Sequence, residues 1–160
     1  TREVPMRLLA SALALRLSFA HPLTAAEQRI AVLDFEDSAG LSAFELDALT
    51  DDVRGAALVL APAYIVMNRE SMMALVPPGT DLRKVCSESS CETEAGAMLG
   101  ADLLVTGSVG RFAGDLEVRL KLFDTAKASS LGQVKANGAD LKAVRFSLVS
   151  EARRLFRVVR

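Results

Sequence analysis

The sequence has no tryptophan, one tyrosine and one histidine in 160 residues. Base or sugar stacking would have to rest on phenylalanine alone. The single histidine, His21, lies near the N-terminus, so residues 27–160 have none. That removes Ser–His and Cys–His nucleophilic pairs from the body of the chain. Charge of one sign is also lacking: 19 lysines and arginines face 20 aspartates and glutamates, interspersed. With no basic stripe, nucleic acid is not an expected partner. Beyond residue 26 no apolar run approaches the roughly 20 residues of a membrane span, so no transmembrane segment is expected there. Cysteine is scarce, and Cys86 and Cys91 stand close together in the polar stretch KVCSESSCETE.

What remains is globular in composition, 51% apolar and 24% charged, with room for one ordinary domain and a real core. Residues 1–26 differ from the rest. Arg2 and Arg7 precede the apolar run LLASALALRLSFA, and LTAA offers small residues for cleavage after Ala26. This is the layout of a secretory signal peptide, with an N-terminal amphipathic helix as the alternative because Arg16 interrupts the run. The expected organisation is therefore a signal peptide, 1–26, and a single domain, 27–160. No cysteine follows the cleavage site to accept a lipid. The chain ends on FRVVR, directly behind an amphipathic segment, as a fragment or fused product would.

Export places Cys86 and Cys91 in an oxidising compartment, where neighbouring thiols pair. Two cysteines without histidine fall short of a zinc site, and C-x4-C is not the C-x-x-C of thiol oxidoreductases. A local disulfide is expected, with two free thiols as the alternative if the chain is not exported.

RIAVLDFED, 29–37, is apolar and β-branched as in a strand buried on both faces. Ser42 and Glu45 form a capping box opening a helix that carries Leu46, Leu49, Val53, Ala56 and Leu60 on one face. Pro62 ends it, and AYIVM, 63–67, is a second strand. This is a βαβ unit with parallel strands. Asn68 caps a short helix, a polar loop carries the cysteines, and CETEAGAMLG is another helix ending at Gly100. DLLVTGSVGRF, the turn GD at 114–115 and LEVRLKLFD read as a hairpin, with LGQVKA a weaker fifth strand. Asp140 caps a last helix buried through Leu141, Val144, Leu148, Ala152 and Leu155. The fold class is α/β: a mixed five-stranded sheet in the order β-α-β-α-α-β-β-β-α, with helices packed mainly on one face.

TGSVG at 106–110 lacks the first glycine and the histidine partner of a nucleophile elbow. Its glycines read as places where a strand bends or a hairpin closes. Asp34, Glu36 and Asp37 gather at the C-terminal end of the first strand, the edge where parallel α/β sheets bind ligands. They form a candidate ligand or partner edge, and the plainer alternative is a solvated loop ahead of a helix N-terminus. Glu88, Glu92 and Glu94 lack the ligand spacing of a calcium loop. No catalytic residue, metal or cofactor is expected.

IAVLDFED, LTDDVRGAA, YIVMNRESM, GAMLGADLLVTGSV and EVRLKLFDTAKASSLG, in this order, resemble envelope domains related to the TolB N-terminal domain, the curli-secretion lipoprotein CsgG and the penicillin-binding-protein activator lipoproteins. Arg69, Glu70, Gly100, Ala101, Asp102, Asp124 and Thr125 carry the likeness best. The resemblance implies a non-enzymatic, exported protein-interaction module of the bacterial cell envelope, periplasmic or secreted, whose partners are other envelope proteins or copies of itself. A self-assembling structural subunit of an outer-membrane or secretion complex is the alternative, and a small hydrolase or metal-dependent enzyme a further one. The lipid-acceptor cysteine and the long membrane-crossing insertions of some members are absent here.

Overall fold

A computed structural model describes residues 27–86 and 91–159. The expected signal peptide lies outside the described residues. Elements run β1 (Arg29–Val32), β2 (Glu36–Asp37), α1 (Ala43–Leu60), β3 (Ile65–Val66), α2 (Arg69–Leu75), α3 (Cys91–Leu99), β4 (Leu103–Phe112), β5 (Asp115–Asp124), β6 (Ser129–Gly138) and α4 (Leu141–Leu155), closed by a 3₁₀ turn, Phe156–Val159. The sheet order is β3-β1-β4-β5-β6, with β2 pairing β4. β1 is parallel to both β3 and β4, while β4, β5 and β6 form an antiparallel meander.

The helix starts follow local chemistry. The Ser42 hydroxyl accepts from the Glu45 N–H, and the Glu45 carboxylate accepts from the Ser42 N–H at 2.8 Å. Asn68 and Asp140 accept from the N–H groups of Ser71 and Ala143. Each side chain satisfies a donor that an α-helix leaves orphaned in its first turn.

Two expectations change. LGQVKA is the middle of a full ten-residue strand, β6, because pairing along β5 overrides its weak local β signal. The first strand, expected to be continuous over 29–37, is broken at 33–35. Val32 pairs with Val105 and Glu36 with Ser108, so four steps along one strand match three along the other. This extra residue is a bulge, and it shifts the side-chain alternation by one. Phe35 thereby turns into the main core rather than away from it, and its ring sits over Gly107, where a Cβ would lie 2.3 Å from it. The Phe35 N–H, diverted from the ladder, reaches the buried Thr50 hydroxyl at 3.4 Å, which itself donates to the Leu46 carbonyl.

Helices occupy both faces. The long pair, α1 and α4, buries Ile30, Val32, Val105, Val118, Leu120 and their neighbours on one side. The expectation of helices mainly on one face holds for that pair. The short pair, α2 and α3, lies opposite, over Ala31, Leu33, Leu104 and Phe123. Among the described residues no helix is long and apolar enough to cross a membrane.

Candidate functional site: the open face of the sheet

Because α2 and α3 cover only part of their face, a cleft of about 240 Å³ remains beside them. Its floor is the polar side of β4, β5 and β6: Thr106 and Ser108, then Arg119 and Lys121, then Gln133 and Lys135. One wall is the loop after α2, through Leu82, Arg83 and Cys86, and the other holds Asp34 and Glu36. A second depression of about 250 Å³ shares Ser108 and Arg119, so the concave surface continues along the strands.

The three carboxylates singled out in the sequence have separate roles. Asp34 is almost fully buried. Its Oδ1 accepts from Arg54 at 2.9 Å, and Arg69 lies 2.9 Å from Oδ2 as an ion contact. Arg69 and Arg83 both reach Asp47, at 3.0 and 2.8 Å, so the network ties β1, α1, α2 and the loop after α2 together. The Asp37 carboxylate accepts from the N–H groups of Ala39, Gly40 and Leu41 and shapes the turn into α1. Glu36 shares the cleft wall with Asp34 and is the more exposed of the two, placed there by the one-residue bulge, and partial burial pushes its carboxyl above the ordinary value. The cluster is thus one carboxylate open to the cleft and two committed to structural contacts. It does not converge as a cation site or an acid–base pair would.

The cations on the cleft floor come from β5 and β6. Arg119 pairs with Glu117 on its own strand. Lys121 pairs with Glu92 of α3 and lies 5.4 Å from the centre of the Phe123 ring. Lys135 makes no ion pair among the described residues. The usable signal was the alternation of Glu117, Arg119 and Lys121, continued across the turn by Gln133 and Lys135.

Cys86 and Cys91 form a disulfide joining the loop after α2 to the first residue of α3. Glu92 lies close enough to suggest a metal cluster, but the sulfurs are committed to each other and offer no thiolate. Gly100, Ala101, Asp102 and Thr125 make a joint. The Thr125 hydroxyl donates to the Ala101 carbonyl, its N–H donates to the Asp102 carbonyl, and Asp102 accepts from the Arg29 N–H. Gly96 lets Thr125 approach α3, since a Cβ there would sit 2.0 Å from the threonine methyl. Gly100, Ala101, Asp102 and Thr125, four of the residues that carry the sequence resemblance, thus form the seam between α3, β4 and the β5–β6 turn.

Three solved structures superpose on this arrangement. The LpoB C-terminal domain from Salmonella enterica is 14% identical, with 73% of this chain and 87% of that one covered at a TM-score of 0.51. The lipoprotein GNA1162 from Neisseria meningitidis is 13% identical, with 70% and 80% covered at 0.53. TolB from Acinetobacter baumannii is 17% identical at 0.51, with 83% of this chain matched to 29% of that protein.

The chain shares their fold.

The TolB part of the sequence resemblance is thereby supported at the level of fold, and the curli-secretion part is not supported by these structures. No family model matches the chain, and no curated protein sequence matches it.

Proposed function

We propose that the chain is a non-enzymatic, exported protein-interaction module of the bacterial cell envelope, acting in the periplasm or outside the cell. The observation that carries this reading is the fold held in common with LpoB, TolB and the lipoprotein GNA1162. Two features of the chain agree with it. The Cys86–Cys91 disulfide suits an oxidising compartment. The open sheet face offers hydrogen-bonding and charged groups over a broad shallow area, as a protein partner requires, while Asp34 and Asp37 are committed to structural roles. Residues 1–26 act as the export signal in this scheme.

In-cell crosslinking of the tagged chain, affinity purification and mass spectrometry test the proposal. A reproducible envelope partner and an N-terminus beginning after Ala26 are expected. A ladder of multimers of the chain itself would assign it instead to a self-assembling subunit. An uncleaved, partnerless chain in the cytoplasm would overturn the reading.

A further inference from the structure

β6 ends the sheet. It is ten residues long, and among the described residues no strand pairs with its outer side. Long regular edges are uncommon in stable monomers unless charge, bulges or a covering element blunts them, because the unmade ladder groups template another strand. The bulge in this ribbon falls near one end, between Leu122 and Phe123, which leaves the run from Gly132 to Gly138 regular.

The charge pattern on this run is unusual. Arg119 of β5 stands directly opposite Lys135 of β6, on the open face. Like charges at facing positions of an antiparallel pair repel. Glu117 neutralises Arg119, and Lys135 is left exposed in a strand, SSLGQVKANG, without one aspartate or glutamate. A strand added beyond β6 would bring its own side chains alongside Lys135. A carboxylate there would resolve the repulsion. A second copy of β6 cannot supply it, since that strand brings another lysine and no acid. On the opposite side of β6, Val134 and Ala136 are buried and Leu131 is half-buried, so the neighbouring positions of an added strand would meet apolar surface.

We infer that the outer edge of β6 receives an extended segment of a partner protein in which acidic residues alternate with apolar ones. Its backbone continues the ladder, and its carboxylates lie along Lys135 and the Arg119 row. This deepens, and rests on, the reading of the chain as an interaction module.

The test uses the full chain and a blocked synthetic peptide of alternating glutamate and valine, matched in length to β6. Fluorescence anisotropy should show saturable binding that weakens as salt rises, and amide exchange should slow along β6. A lysine–valine peptide of the same length should bind at least roughly tenfold more weakly. Lys135→Glu should weaken the acidic peptide by roughly tenfold. The same substitution should preserve or raise thermal stability, because it replaces a like-charge pair with an opposite one. Equal binding of both peptides, no saturable binding, or protection away from β6 would overturn the inference. Envelope partners that crosslink equally well to the Lys135→Glu chain would overturn it while leaving the module reading intact. Peptide binding by a chain that stays in the cytoplasm would do the reverse.

Discussion

On one face of the sheet, α1 and α4 lie across the strands and seal an apolar layer running from Ile30 to Phe156. On the other, α2 and α3 shield a smaller cluster around Leu33, Leu104 and Phe123, and beyond them the side chains of β5 and β6 stand in the open. The two faces arise from one alternation. In β5, Leu116, Val118, Leu120 and Leu122 point to the sealed side, and Arg119 and Lys121 to the other. A strand can thus hold the fold with one half of its residues and leave the other half available for recognition. Substitutions on the sealed face should register as stability, and those on the open face as binding.

The hardest test of that division is Phe35, whose ring fills the space over Gly107. Phe35→Ala should cost about 3–5 kcal/mol in urea unfolding. Gly107→Ala should cost about 1–3 kcal/mol by forcing the ring away. The pair together should cost clearly less than the sum, because the alanine methyl would occupy the space the ring vacates. Full additivity would mean that the two residues do not share one site.

Asp34 separates buried from open among the acidic residues. Asp34→Asn removes the buried carboxylate shared by Arg54 and Arg69, leaving them only the more exposed Asp51 and Asp47, and should cost about 3 kcal/mol. Glu36→Gln, two residues on, should change stability by only a fraction of a kcal/mol. Equal costs would remove the distinction drawn between them.

The disulfide should matter less, and locally. Replacing Cys86 and Cys91 with serine should cost about 2 kcal/mol. Faster amide exchange should follow in α3 and the loop carrying Arg83, with α1 and α4 unchanged.

The smallest expected effect is on pH dependence. The Ser42 hydroxyl and N–H hold the Glu45 carboxyl below its ordinary value, and the Lys127 N–H and side chain do so for Asp124. The stability these two contribute is present above the unfolded value and is lost as pH falls through the depressed folded one. Glu36 has the opposite sign: its raised value favours the folded state at low pH, and that contribution is lost as pH rises through it. Glu36→Gln should therefore steepen the net loss of stability on acidification, and a thermal-melt series across the carboxylate range would show it.

Much of the fold was legible because its signals are local. Ser42 with Glu45, Asn68, Asp140 and Gly100 announce helix ends within a few residues of themselves. The βαβ order predicted parallel β1 and β3, as found. The hairpin turn lies one residue earlier than expected, at Ala113–Gly114, both with positive φ. The bulge at 33–35 was not legible, because an extra residue shows only when the pairing with β4 is known. The fate of Asp34 was hidden for the same reason, its partners Arg54 and Arg69 lying on two different helices. The edge position of β6 is a property of topology, and local propensity does not report it.

The bulge also gives the molecule something like a reading frame. A β-strand is read in twos, and the additional residue between Val32 and Glu36 shifts the phase halfway along the line. Pairing the same residues without the bulge, Asp34 opposite Gly107 and Phe35 opposite Ser108, would send an aromatic ring toward the open face and a carboxylate toward the aliphatic layer. Register and identity in this short stretch are therefore constrained together. Variants of the domain should keep a carboxylate at 34 and a large apolar side chain at 35.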